Sequence, residues 1–288
     1  MLELLAAEPA LYLGSIFVLG LLVGSFLNVV ILRLPAMLEA EWRTSAAEIL
    51  GQDTGAPDEA PGLVASRSAC PACGARIRAW HNVPLISFLL LRGRCADCGA
   101  RIAWQYPLVE LAAALLGVAV AWRFGVGVPT ALALAYTWTL LALTGIDWRT
   151  QYLPDNLTLP LLWLGLIASL GGYFATPADA IIGAVAGYLL LWSVYHGFRL
   201  ITGKEGMGYG DFKLLAAVGA WLGWQALPQV ILLASAVGAI VGIALTFSGR
   251  MGREVPMPFG PFLAAAGWLA LVAGDTIARA YFQIAGLN

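Results

Sequence analysis

Leu11-Tyr-Leu-Gly-Ser-Ile-Phe-Val-Leu-Gly-Leu-Leu-Val-Gly-Ser-Phe-Leu-Asn-Val-Val-Ile-Leu32 runs for 22 residues without a charged side chain. A helix needs about 20 mostly apolar residues to cross a hydrocarbon core roughly 30 Å thick, so this run reads as a membrane span. Similar runs lie at 107–122, 128–146, 157–174 and 181–201. The stretch 214–247 carries Pro228 near its middle and reads as two spans joined by a tight turn there; a last span covers 259–281. Composition agrees. Hydrophobic residues make up 60% of the 288 and charged ones 11%, less than half the roughly 25% usual in soluble domains. Together with a mean hydropathy of +0.80, this excludes disorder, a soluble globular fold and a secreted disulfide scaffold. A net charge of −1 excludes a nucleic-acid partner held by bulk electrostatics and leaves the lipid bilayer as the surrounding medium.

Basic residues set the expected orientation, because cytoplasmic loops retain Lys and Arg. With the N-terminus outside, 14 of the 16 fall on the cytoplasmic side and only Arg123 and Arg279 outside. The first ten residues hold two Glu and no Lys or Arg, so the basic start of a cleaved signal peptide is missing. The first span is expected to stay as an anchor over 1–33.

A soluble module is expected over 34–105, ahead of a seven-helix membrane domain at 106–288. Its first half is acidic and expected to be irregular, with Glu39, Glu41, Glu48, Asp53, Asp58 and Glu59 around QDTGAPDEAPG, a Gly/Pro/Asp linker. Its second half holds all four cysteines and five arginines against one acid, Asp97. That basic half suits anionic lipid or an acidic ligand, with a solvated face under the membrane as the plainer alternative.

The cysteines read Cys70-Pro-Ala-Cys73-Gly and, 21 residues further on, Cys95-Ala-Asp-Cys98-Gly. Each C-x-x-C-G is a knuckle that turns two thiolates toward one ion, and two knuckles supply the four soft ligands of a closed tetrahedral site. This suits a structural zinc; a pair of disulfides is the alternative, disfavoured in the cytosol. The chain is therefore expected to be an all-α polytopic membrane protein. It should have about eight transmembrane helices and a small cytoplasmic zinc-ribbon-like module after the first.

Acids at the ends of apolar spans are costly and so mark candidate sites. Asp147 ends the third span, and Asp155 precedes the fourth, where it suits a helix N-cap. Glu205 and Asp211 lie in Lys204-Glu-Gly-Met-Gly-Tyr-Gly-Asp-Phe-Lys213; Glu205 reads as a solvated loop charge. Pairing of Asp147 with Arg149 and of Asp211 with Lys213 would be the plainer account. Against it stands the run Gly206, Gly208 and Gly210, which permits close backbone approach and unusual angles just before Asp211. Two carboxylates a few ångströms apart share one proton; one can activate water while the other polarises a carbonyl, hydrolysing an amide without a metal. No Ser lies in a G-x-S-x-G elbow, and His81 and His196 lie in different regions.

These features carry a family resemblance. Gly24-Ser-Phe-Leu-Asn28-Val-Val-Ile-Leu-Arg33-Leu-Pro35, the two knuckles, Trp80-His-Asn82-Val-Pro84 and Leu91-Arg-Gly-Arg-Cys95 come first. Tyr106-Pro-Leu-Val-Glu110-Leu, Asp147 with six residues between it and Pro154-Asp155, the 204–213 loop and Pro258-Phe-Gly-Pro261 follow in order. The sequence resembles the type IV prepilin peptidases, bifunctional leader peptidases and N-methyltransferases of bacterial pilus and type II secretion systems. These are similar to the G-x-G-D class of intramembrane aspartyl proteases. The resemblance implies a catalytic pair at Asp147 and Asp211, with Gly208 and Gly210 in the active-site loop, in the inner membrane and facing the cytoplasm. It implies cleavage of a basic prepilin or pseudopilin leader after a glycine. It further implies methylation of the new N-terminus, often Phe, with S-adenosylmethionine as donor. Residues 45–62 carry no distinctive family pattern, and no G-x-G-x-x-G turn marks a donor pocket. Glu110, Glu39 and Asn28 are methyltransferase candidates by their place near the module; buried structural and interfacial roles are the alternatives for Asn28 and Glu110. A peptidase without methyltransferase activity would usually lack the knuckles. A transporter would place its acids near the midplane, often with repeat symmetry that is not seen here.

Overall fold

The computed structural model describes residues 8–51, 62–63, 68–248 and 257–284, and these are helical apart from most of 68–104 and the short connections. In chain order they form α1 (Pro9–Leu50), α2 (Ile86–Leu90), α3 (Gln105–Phe124), α4 (Val128–Thr150) and α5 (Asp155–Leu170). α6 (Pro177–Thr202), α7 (Tyr209–Leu222), α8 (Leu227–Phe247) and α9 (Gly260–Ile284) follow. A helix stands at each of the eight expected spans. Six are long and apolar enough to cross a membrane; α5, with 16 residues, and α7, with 14, are shorter. The chain divides into two compact units, Met1–Val126 and Gly127–Asn288.

In the first unit α1 and α3 pack as an antiparallel pair. Gly20 and Gly24 let the backbones close: a Cβ on Gly20 would lie 2.5 Å from the Ala114 Cα, and one on Gly24 2.6 Å from the Glu110 Cα. Small residues four apart are the usual means of close helix approach in lipid, where apolar area alone gives no preference for a protein neighbour. Polar side chains fix the register at both ends. Tyr12 donates to the Gly125 carbonyl at 2.8 Å and Asn28 to that of Tyr106 at 3.1 Å.

The expected irregular stretch after Arg33 is instead helix. α1 runs through Pro35 to Leu50, because Ala, Glu, Leu and Met dominate 36–50 and outweigh the proline's missing donor. It stops at Gly51, whose left-handed φ of 62° turns its amide back onto the last carbonyls. Of the linker expected at 52–62, residues 52–61 lie outside the described residues.

In the second unit α7 is the centre. It packs against α5, α6 and α9, and every residue from Leu214 to Trp221 is buried. Trp221 donates to the Leu161 carbonyl at 2.8 Å, and its ring lies 4.9 Å from that of Tyr136. α6 and α7 meet backbone to backbone at Gly183 and Gly219, and a Cβ on Gly187 would lie 2.6 Å from the Leu215 carbonyl oxygen. The break between α7 and α8 falls earlier than Pro228. Gly223, at φ 78°, and a 3₁₀ turn at Trp224–Ala226 make the corner, and Pro228 opens α8, where its missing N–H costs nothing.

Gly219→Val should destabilise the detergent-solubilised protein by at least the roughly 1–3 kcal/mol typical of overpacking, read as a fall in melting temperature. Gly14→Ala, with nothing within 4 Å of the new methyl, should leave that temperature unchanged or slightly raised.

Candidate active site

Asp147 sits in the last turn of α4, which ends at Gln151 in a left-handed conformation with φ 54°. Asp211 sits in the first turn of α7, after Gly208 as the extended cap residue. Both carboxylates are buried, 4% and 7% exposed, and close enough for the charge of one to act on the other. The Gly260 amide, the first of α9, contacts Asp147, and the Gly208 backbone contacts Asp211. One oxygen of each, Oδ2 of Asp147 and Oδ1 of Asp211, is buried without a hydrogen-bond partner. Helix N-termini thus face both acids, as suits negative charge.

Leu153, buried in the α4–α5 connection, keys the elements together. A Cβ on Gly210 would lie 2.7 Å from the Leu153 Cβ, and one on Gly260 would lie 3.1 Å from its Cδ1 and 2.6 Å from Asp147 Oδ2. The glycine run before Asp211 therefore serves close approach at Gly210. Gly208, with φ −85°, needs no unusual angle. Gly260 was legible only as part of Pro258-Phe-Gly-Pro261, a segment with no role assigned from its residues.

The neighbouring charges pair differently from the sequence expectation. Lys213 Nζ donates to both oxygens of Asp155, at 2.6 and 2.8 Å, and leaves Asp211 alone. Asp155 is the first residue of α5, after Pro154, and makes no cap bond; proximity in space to α7 outweighs its local capping propensity. Glu205 is exposed and lies 3.8 Å from Arg199, a contact of little energetic weight.

The four sulfurs Cys70, Cys73, Cys95 and Cys98 all lie within 4.8 Å of one another. Sulfurs bound tetrahedrally at about 2.3 Å from an ion lie about 3.8 Å apart, and Cys70 and Cys98 are separated by 3.8 Å. The knuckles are near copies. Each reads C-x-x-C-G-A-R-I, the two 25 residues apart. In each the first Cys amide bonds the carbonyl of the alanine after the glycine, at 2.9 and 2.8 Å. Gly74 and Gly99, at φ 70° and 71°, make the same left-handed corner. Backbone amides of Ala72 and Cys73 draw the Cys70 thiol down to about 7. Cys98, despite the Ala100 amide, is pushed up to about 12 by the Cys73 sulfur, burial and the other thiols. Four crowded thiols thus resist becoming four thiolates unless a cation joins them.

Of the three methyltransferase candidates, Asn28 and Glu110 lie together in the α1–α3 interface, both buried. Asn28 donates to Gly24 and Tyr106 carbonyls while its Oδ1 has no partner. Glu110 accepts the Leu85 amide at 2.8 Å. Glu39 stands eleven residues along α1 from Asn28, about 16 Å, exposed and 3.3 Å from Arg43.

Two family models match the chain: the bacterial peptidase A24 N-terminal domain over residues 18–124 and the type IV leader peptidase family over 134–243. Proteins named prepilin leader peptidase/N-methyltransferase are similar over nearly all of it. That of Pseudomonas aeruginosa is 54% identical over 288 residues, 100% of this chain and 99% of the relative. That of Aeromonas hydrophila is 56% identical over 282 residues, 98% and 97% of the two chains.

The chain belongs to the type IV leader peptidase family.

The family's two matched segments fall one in each compact unit, so the knuckles lie in the N-terminal match and both buried aspartates in the leader peptidase match. A Burkholderia pseudomallei relative of the same name is 51% identical over 93% of this chain and 88% of its own. No solved structure matches.

The purified protein is expected to carry one thiophilic divalent ion per chain by elemental analysis. Cys73→Ser or Cys95→Ser should lose the ion and make the 69–105 region trypsin-sensitive. Full alkylation of all four thiols in the native protein would count against the site.

Proposed function

We propose that the protein cleaves the leader peptide of type IV prepilins and type II secretion pseudopilins and then N-methylates the new N-terminus. The observation that carries the peptidase half is the buried pair Asp147 and Asp211, each with an unpartnered oxygen, at helix ends in one bundle. One carboxylate takes a proton from water as the water oxygen attacks the scissile carbonyl. The other, protonated, hydrogen-bonds the carbonyl oxygen and stabilises the developing oxyanion. Proton transfer to the leaving nitrogen then completes amide hydrolysis, giving a carboxylic acid and an amine. The pair is restored for the next turnover. Membership in the family and the relatives' printed names support the substrate and the second activity.

In the methylation, the released α-amine attacks the methyl carbon of S-adenosylmethionine, the C–S bond breaks, and the amine gives up a proton. The acceptor does not exist before cleavage, so methylation is second. The cysteine cluster holds zinc as a structural ion and takes no part in either step. We place the protein in the inner membrane with the N-terminus outside and the aspartates toward the cytoplasm, a placement supported by the distribution of Lys and Arg.

Asp147→Asn and Asp211→Asn should each lower cleavage of a synthetic prepilin by at least roughly 10²–10⁴ while the protein stays folded. Asp155→Asn should keep most activity, since a half-exposed ion pair with Lys213 contributes at most about 1 kcal/mol. A dead Asp155→Asn beside an active Asp147→Asn would overturn the assignment.

The order of reactions has its own test. Asp211→Asn enzyme with labelled donor should leave intact prepilin unlabelled yet methylate a pre-cut pilin. Label on the intact substrate would refute the order, and failure of the folded mutant on the pre-cut one would place both reactions in a single site.

A further inference from the structure

Between the two knuckles the chain forms a small loop that neither the metal site nor the aspartate pair uses. Ser87 holds it closed, donating to the Trp80 carbonyl at 2.8 Å and accepting from the Val83 amide at 3.1 Å. The loop carries α2, and it presents apolar side chains outward: Leu89 is 73% exposed and Leu90 78%. Trp104, at the head of α3, is 70% exposed, and its ring lies 5.0 Å from that of Phe88. A soluble loop gains nothing by holding two leucines and a tryptophan in water.

The position of this loop is fixed by α3. The Glu110 carboxylate accepts the amide of Leu85, which stands at φ 56°, a strained angle for a leucine. Glu110 is five residues into α3, about 7–8 Å along its axis. α2 is therefore held beside the first turn and a half of a helix long enough to cross the membrane. The charges around it have one sign. Arg92 and Arg94 follow α2 directly and are exposed, Arg78 lies over the Trp80 ring at 5.9 Å, and Asp97 is the one acid in 68–105.

We propose that this face of the module docks on anionic phospholipid in the leaflet that α3 enters. Leu89 and Leu90 reach the boundary between headgroups and acyl chains, Trp104 lies at headgroup level, and Arg92 and Arg94 meet lipid phosphates. Exposed leucine, tryptophan and arginine are the combination that interfacial segments use. Covalent continuity with α3 keeps the face at the membrane surface, so little translational freedom remains to be lost on docking. The basic excess selects an anionic surface over a neutral one.

The test uses the full chain in nanodiscs of phosphatidylcholine, alone or mixed with phosphatidylglycerol. A benzoylphenylalanine placed at position 90 should form lipid adducts on illumination, seen by mass spectrometry. In the unmodified protein, trypsin cleavage after Arg92 and Arg94 should be slower in the mixed bilayer by roughly thirtyfold, the effect of two arginines near an anionic surface. Cross-links to a second copy of the chain or to another protein, or no lipid adduct, would overturn the proposal. So would equal cleavage rates in the two bilayers.

Discussion

α7 meets α6 with no side chain between them, and the second unit is organised around that contact. Because Gly183 and Gly219 touch through their backbones, α7 is drawn into the bundle until it is buried all round. A helix enclosed in this way needs no length to span lipid, and α7 has only 14 residues. Its far end is levelled with the start of α6: the Asp179 carboxylate accepts from both Trp224 and Gln225, just beyond α7, and closes on Thr176. Antiparallel register then puts Asp211 level with about Leu191, well short of the end of α6 at Thr202. The short helix is what recesses the carboxylate.

Recessed carboxylates need neighbours that leave room without supplying a counter-ion. Lys213 is the nearest cation in sequence to Asp211, yet it is held by Asp155 on the start of α5. Gly260 brings the start of α9 against Asp147, where a larger residue would collide with Oδ2. Backbone amides at Gly260 and Gly208 and the aliphatic Leu153 thus border the two carboxylates.

The membrane helices were legible because lipid leaves little choice: apolar runs must close their own backbone bonds, and run length marks them. That the four cysteines would cluster was legible from their spacing, and Asp147 and Asp211, singled out by residue type and place, are both buried. What escaped depended on packing across the chain. Residues 36–50 carry charges and a proline at their start, which hid a continuous helix. Asp155 has the local signature of a cap, but a lysine 58 residues away takes its carboxylate. Run length marked the sixth span, α7, as short; what it could not show is that the helix is enclosed, since a fully enclosed helix and a lipid-facing one are equally apolar. Gly260 looks, in sequence, like any glycine between prolines and a phenylalanine; only the packed bundle makes its lack of a side chain matter.

The recess of Asp211 also sets a reach. Measured along α6, the distance from the level of Leu191 to Thr202 is eleven residues, about 16 Å of helix. An extended polypeptide covers that distance in about five residues, at roughly 3.3 Å each. A chain entering from that end as a helix would need more than twice as many, and its amides would be tied up in their own hydrogen bonds. Along α6, then, the level of Asp211 lies within reach of a short unwound segment but not of an equally short helical one.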